Sequence, residues 1–379
     1  MKYYLKTKEE CDAITKRNDA FYRTDKTVEG QDVAIYDYRL ASLSDFVKDE
    51  AFELRGLCFV KQSDGTWERN ILMQKFFNID QTTGWMYDDV KDKTIVDLAN
   101  KEDGSIISFV KFENGKIRAK SKTSFDSEQA KMAQTVFEKS LKLQDFIKRC
   151  LNSNTTPIFE LVSPDNQIVL EYQNTELILL QVRNNESGEY TTAMEAFSEK
   201  FNIKVAEQFN TSITLDELLE RKEIDDSDIE GWVVTFSDGQ MAKIKTKHYL
   251  SLHGLIGPDA FRENLLIETI LDGNIDDVIS ALVPGTKKDK IIDLENKITT
   301  EFNHLVVEYK TLRNDFFNKY KENRKEFALE NSSHVLFGSV MKSLKNEMND
   351  EKIAECSVAD YIKRNTKTLN NAKEWINGL

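Results

Sequence analysis

The rhythm of apolar and polar positions changes near residue 250. Before that point apolar residues come in short runs, many alternating with period two: "ELRGLCFV", "SIISFVKF", "KIRAKSK", "TPIFELV", "QIVLEY", "ELILLQVR", "GWVVTF" and "MAKIKT". Most are bounded by Asn-Gly, Asp-Gly or similar turn residues, which predicts strands. One helix is predicted among them, with Asp126 as N-cap, Gln129 three residues on, and Ala130, Ala133, Phe137 and Leu141 along one face. After residue 250, Ile291, Leu294, Ile298, Phe302, Leu305, Tyr309, Leu312, Phe316 and Tyr320 recur at steps of three and four. That is the pattern of a long amphipathic helix. The stripe is neither a strict heptad nor rich in Leu, which argues against a coiled coil. The predicted fold class is α+β, with antiparallel sheets and helices over residues 1–250 and an all-α domain over residues 251–379.

Two predicted hairpins line up lysines. A two-residue turn at Asn114-Gly115 puts Lys116, Arg118, Lys120 and Lys122 on one strand face, with Ile117 and Ala119 on the other. Four like charges in a row need solvent or phosphate over them, and the pattern leaves both open. With Asp238-Gly239 as the second turn, Val234 faces Lys243, Trp232 faces Lys245 and Glu230 faces Lys247. Glu230, Lys243 and Lys245 then share one side of a ribbon, as a surface ion-pair cluster or as part of a site. Glu160, among Phe159, Leu161 and Val162, points outward by alternation or inward to a ribose hydroxyl or a metal ion.

The stretch "KEDGS" at 101–105 poses the same choice. Asp-Gly is the commonest way to reverse a chain between strands. Alternatively Lys101 is a nucleophile at the mouth of a nucleotide pocket, and the glycine keeps side-chain bulk away. Such a lysine must shed its proton, which neighbouring cations such as Lys243 and Lys245 favour.

Composition narrows the class. Of 379 residues 40% are hydrophobic and 31% charged, as in a soluble globular protein long enough for two domains. No apolar stretch is long enough to span a membrane, and "MKYYLKTKEECDAITKR" contains no run of the secretory type. Cys11, Cys58, Cys150 and Cys356 lie 47, 92 and 206 residues apart, a spacing that suits neither a zinc site nor a disulfide framework. A reducing cytoplasm is the expected location. The net charge of −13 argues against a protein that simply coats nucleic acid. Residues 101–150 nevertheless carry eleven Lys/Arg against seven Asp/Glu, a local basic segment in an acidic chain.

Taken in order, "KEDGS", "KSK" at 120–122, "FELV" at 159–162, "EGW" at 230–232 and "KIK" at 243–245 resemble the motifs of the covalent nucleotidyltransferase superfamily, the ATP-dependent ligases and capping enzymes. "LRGLCF", "KFFN", "SEQAKMA", "NQIVLEYQ", "NESGEY" and "YLSLH" extend the resemblance to the bacteriophage RNA ligase 1 family. That resemblance implies an N-terminal adenylyltransferase domain and a helical C-terminal domain that recognises RNA or tRNA. It implies that Lys101 becomes adenylated, with Lys122, Glu230, Lys243 and Lys245 catalytic. Tyr38, Arg55, Lys75 and Glu160 would join Lys101, Lys243 and Lys245 in binding ATP. Glu230, Asp276 and Asp277 would hold Mg²⁺, with Mn²⁺ an alternative. The implied substrate is RNA with 5′-phosphate and 3′-hydroxyl ends, a cleaved tRNA anticodon loop first among them, in the host cytoplasm if the chain is phage-encoded. A monomer is the expected state. Thr123 departs from the family, whose members tend to have glycine after "KSK". The alternatives are a DNA ligase, a capping guanylyltransferase, or a non-catalytic RNA-binding module that retains the nucleotide pocket.

Overall fold

The computed structural model describes residues 5–191, 194–225, 227–252, 254–255, 261–282, 285–344 and 350–379. The chain divides into two units, one of Met1–Tyr38 with Leu43–Gly254 and one of Arg39–Ser42 with Leu255–Leu379. The fold is mixed α+β: antiparallel sheets and helices make the first unit, and a helical region follows.

Among the described residues the first unit holds three four-stranded sheets. Strands β1 (Phe21–Val28), β2 (Gln31–Tyr38), β3 (Leu57–Lys61) and β4 (Trp67–Asn70) form one, in that order. β5 (Phe77–Asn78) and β6 (Ile95–Asn100) are the outer strands of another. β7 (Ser105–Lys111), β8 (Ile117–Ser121), β9 (Thr155–Val162) and β10 (Glu176–Asn184) make the next, in the order β10-β9-β7-β8. β11 (Gly231–Phe236) and β12 (Met241–Lys245) fill the space between the earlier outer pair, giving β5-β12-β11-β6.

The buried halves of these strands build the core. The helices Glu128–Lys139 and Leu141–Asn152 lay Ala133, Phe137, Phe146 and Ile147 against Ile107, Phe109, Phe159 and Leu161. A smaller apolar seam of Leu72, Met73, Ile158 and Met241, with Ile106 and Val233 packed on it, joins the β7–β10 sheet to the β11–β12 ribbon. Residues 101–104 link β6 of one sheet to β7 of the other. "KEDG" is therefore a crossing between sheets, not a hairpin turn.

Several local expectations change. Both lysine-bearing hairpins close with three-residue loops: Phe112 N–H donates to Lys116 O at 2.9 Å, and Phe236 N–H to Gln240 O at 2.8 Å. Gly115 and Gly239 each take the last loop position at φ +80, the left-handed conformation that such loops need. The register slips by one, Trp232 pairs with Ile244, and its 1% exposed side chain lies in the core. "QIVLEY" is not a strand: it follows the Pro164–Asn166 turn, and a side chain takes the N–H groups of Val169 and Leu170. The helix cap is Ser127, whose Oγ accepts from Ala130 N–H at 3.2 Å, while Asp126 pairs with Lys26. Leu141, 82% exposed, opens the next helix.

In the second unit Thr286–Asn318 is a single helix of 33 residues that buries Ile291, Ile298, Phe302, Leu305, Tyr309, Leu312 and Phe316. Leu294 is half-buried, and the helix ends just before the buried Tyr320. Arg39 belongs here through Glu351: its Nη1 donates to Oε2 at 2.6 Å, and Lys310 pairs with Oε1.

Candidate active site

The crossing segment presents Lys101. Its backbone N–H donates to Gly231 O at 2.9 Å, docking the end of β6 against the start of β11. Lys101 Nζ lies 2.6 Å from Glu230 Oε2, and Lys245 Nζ lies 3.0 Å from Oε1 of the same carboxylate. Glu230 is only 3% exposed. Burial alone would raise its carboxyl, but Lys101 and Lys245 outweigh burial and hold it below the usual carboxylate range. Strict alternation would not bring Glu230 here, because the ladder pairs Gly231 with Lys245 and sends residue 230 to the opposite face. Gly231 ends the alternation. Its φ is +150, and a Cβ there would stand 2.0 Å from Ile244 O, so only glycine fits. Lys243, paired with Val233, shares the face of Lys245.

The Asp-Gly pair that follows Lys101 is an anchor. Asp103 is 2% exposed and accepts from Tyr249 OH at 2.9 Å and from Val169 and Leu170 N–H at 2.9 and 2.8 Å. Its own N–H donates to Tyr172 OH at 3.1 Å. Gly104 runs so close to β9 that a Cβ would lie 2.3 Å from Leu161 O. Lys101 is thus carried on backbone pinned at Gly231 and at Asp103. Asp103, Tyr172 and the 169–172 strap are positioning groups that sequence reasoning missed. The apolar run in "NQIVLEY" reads as a strand, and nothing in it signals that its amides serve a carboxylate.

Glu160 stands on β9 opposite Ile106. Burial pushes its carboxyl up to about 8, against the pull of Lys101, and the negative charge of Glu230 adds to the rise. It is therefore the inward of its two expected orientations that the fold adopts, in contact with the field of the lysine cluster.

A second group of charges surrounds Tyr38 at the end of β2. Lys122 Nζ and Lys75 Nζ lie 4.8 and 5.5 Å from its ring centroid. Burial would raise the phenol, yet Lys75, Lys122 and Arg55 overcome it and bring Tyr38 down to about 8. The Arg55 charge lowers both Tyr38 and Glu160, so it acts on both groups of charges. Asp37, 1% exposed, holds Lys122 Nζ at 2.9 Å. Burial would lower Lys122, but Asp37 and then Tyr38 keep it above the ordinary lysine range. Asp37 also escaped the sequence reading; its only mark is a carboxylate inside the apolar run "VAIYDY".

The basic face expected at 116–122 does not exist as an open row. Lys120 is 0% exposed, and its ammonium donates to Gly56 O, Ser121 O and Lys122 O at 3.0, 3.1 and 3.2 Å. Burial lowers its pKa to about 8. Lys116 and Arg118 both pair with Glu29, each at 2.8 Å. Only Lys122 reaches the site. Thr123 keeps an ordinary negative φ, so the bend after Lys122 needs no glycine here.

Tyr38, Arg55, Lys75, Lys101, Lys122, Glu160, Glu230, Lys243 and Lys245 all belong to the first unit. Asp276 and Asp277 belong to the second, in the first turn of the helix Ile275–Ser280, with Asp277 3% exposed. Among the described residues no group of three or more His, Cys, Asp or Glu is arranged to hold a metal ion.

This geometry has counterparts in sequence. A family model described as RNA ligase matches residues 53–249, which run from the Arg55 turn to Tyr249. A Thermovibrio ammonificans protein that carries RNA ligase as a provisional name is 27% identical over 307 residues, covering 78% of either chain. Among solved structures, form 2 of an archaeal ATP-dependent RNA ligase aligns over 80% of this chain and 79% of its own, at 9% identity and a TM-score of 0.49. A Naegleria gruberi RNA ligase with PPi aligns over 48% of this chain at 15% identity and a TM-score of 0.40, and this chain spans 58% of its length.

Proposed function

The chain belongs to the RNA ligase family, and from that premise we propose that it seals RNA through a covalent lysine–AMP on Lys101. The observation that carries this reading is the buried Glu230 carboxylate held between Lys101 at 2.6 Å and Lys245 at 3.0 Å. A lysine in an exposed turn would have no such partner. The pinned backbone on either side of Lys101 limits where its Nζ points, and positioning of that kind is the main lever in phosphoryl transfer.

The first step is attack of Lys101 Nζ on the α-phosphorus of ATP. The N–P bond forms, the bond to the bridging oxygen breaks, and pyrophosphate leaves. An ammonium has no lone pair, so Lys101, whose side chain is part-exposed, must first give up its pairing with Glu230 and lose a proton to solvent. Lys243 and Lys245 meet the charge that builds on the phosphates. AMP next passes to an RNA 5′-phosphate, and an RNA 3′-hydroxyl then displaces it to close the strand. Glu160, largely protonated near neutral pH, both donates and accepts, which suits a ribose hydroxyl. Arg55, Lys75 and Lys122 around Tyr38 supply cations for phosphate or ribose. A divalent ion, Mg²⁺ or Mn²⁺, would supply charge neutralisation at the leaving pyrophosphate. Glu230 is the carboxylate of this site that would hold it, being buried and anionic, once Lys101 has given up its pairing. Asp276 and Asp277, in the second unit, are proposed as ligands of a divalent ion of their own, on their neighbouring positions in the sequence. The RNA we place first is a cleaved tRNA anticodon loop, with the helical unit as its reader.

The test is incubation with ATP labelled at the α-phosphate and Mg²⁺, followed by a denaturing gel. Label that stays on the chain and vanishes in Lys101→Ala is the expected result. No label from ATP at saturation overturns the reading, and label from GTP alone turns it into a guanylyltransferase.

A further inference from the structure

Arg55 and Lys75 sit on two separate segments, and neither segment is a regular strand at those residues. Something else must fix where their cations point. Arg183, on β10, is 0% exposed and bonds to both segments. Its Nη1 and Nη2 grip Glu53 Oε2 and Oε1 at 2.7 and 2.6 Å, a bidentate pair two residues before Arg55. The same Nη1 donates to Leu72 O at 2.6 Å, three residues before Lys75, and Nε donates to Gly188 O at 2.8 Å. The guanidinium also stacks on Tyr190, 4.5 Å from the ring centroid, and Tyr190 OH accepts from Gln74 N–H at 3.1 Å. The two segments meet in turn, since Lys75 N–H donates to Phe52 O at 2.8 Å and Arg55 Nη1 to Met73 O at 3.2 Å.

We propose that Arg183 is a positioning residue for the nucleotide step: one buried guanidinium clamps the Glu53 and Leu72 segments and thereby sets the reach of Arg55 and Lys75. Lysine cannot replace it, because a point charge meets one carboxylate oxygen where the planar fork meets two. A purely structural pair would need only to stay folded. This pair instead ties together the two segments that carry Arg55 and Lys75, through partners within three residues of them.

The inference rests on the reading of Lys101 as the adenylated residue, so the wild-type chain is measured alongside every variant. Single-turnover labelling of folded protein by ATP is followed in wild type, Arg183→Lys, Arg55→Ala and the double variant, with folding checked by circular dichroism at the assay temperature. The expected result is a loss of at least tenfold in Arg183→Lys, seen as a higher half-saturating ATP concentration, and a smaller loss when it is added to Arg55→Ala, where only the reach of Lys75 is left to set. A merely structural role predicts losses that multiply, and that result, or wild-type behaviour of Arg183→Lys, overturns the proposal. If Arg183→Lys does not fold, Glu53→Gln in wild type and in Lys75→Ala decides by the same cycle. A labelled wild type with independent variants sinks the clamp alone; an unlabelled wild type sinks the reading of the site and the clamp with it.

Discussion

The β7–β8 and β11–β12 hairpins look alike in sequence and do different work. Each turns through a three-residue loop ending in a glycine at φ +80, and each returns with lysines at alternate positions. In β11–β12, Lys245 meets a buried carboxylate that also holds Lys101, and Lys243 shares its face. In β7–β8 they disperse: Lys116 and Arg118 to Glu29, Lys120 into the core, Lys122 to Asp37 beside Tyr38. The difference does not reside in the lysines. It comes from what the rest of the fold places against each face: Gly231 lets Glu230 cross to the lysine side, whereas the Gly56 carbonyl reaches Lys120. A strand of alternating lysines is therefore a binding surface only where tertiary neighbours leave it open.

The sharpest way to break the contrast is at Gly231. Gly231→Ala faces a Cβ contact of 2.0 Å to backbone and a φ of +150, and strain of this kind costs about 1–3 kcal/mol. It is expected to lower the rate of covalent labelling by about 100-fold, because Gly231 O also holds Lys101 N–H. Labelling of the folded variant at the wild-type rate would show that the break is not what assembles the cluster. Next comes a crossed pair. Lys245→Met should lose labelling about 100-fold while melting near wild type. Lys120→Met should do the reverse, because it leaves three buried carbonyls without their donor; a cost of about 2 kcal/mol corresponds to a drop of about 5 °C in Tm. Equal behaviour of the two variants would erase the distinction between the hairpins.

A smaller effect reports the coupling of the two sheets at Glu160. Its folded pKa is raised to about 8, so the stability it contributes is present below the ordinary carboxyl value and is lost as pH rises through 8. The Tm of wild type minus that of Glu160→Gln is expected to fall between pH 5 and pH 9 in the absence of nucleotide. A difference that is flat or rises with pH would mean that Glu160 ionises freely in the apo site. The smallest effect is at Arg118. Since Glu29 already neutralises it, Arg118→Gln should leave RNA affinity and its salt dependence unchanged. A flatter salt slope would restore the basic-face reading that the geometry removed.

Much of this protein was legible in its residues. Period-two runs, helical spacing after residue 250 and five short motifs in order sufficed for the α+β class, the long helix and the RNA ligase family. These are properties of local physics and of residue identity: strands and amphipathic helices advertise the face they bury, and a lysine with acidic and basic partners at set positions advertises its chemistry. Glu230, Lys245 and Lys101 were named as a set, and both lysines stand within 3.0 Å of the Glu230 carboxylate.

Other features have no local signature. Loop length set the hairpin register, and a single residue of slip moved Trp232 into the core. Asp37, Asp103 and Arg183 look like ordinary polar residues until partners far along the chain close on them: Lys122, Tyr249 and Glu53. Whether Lys120 faces water or interior depended on a carbonyl 64 residues away. Sequence alone determined which groups could do the chemistry, because reactivity belongs to the side chain. Only the tertiary structure decided which of them are free to do it, because burial and pairing are set by whatever else the fold brings alongside.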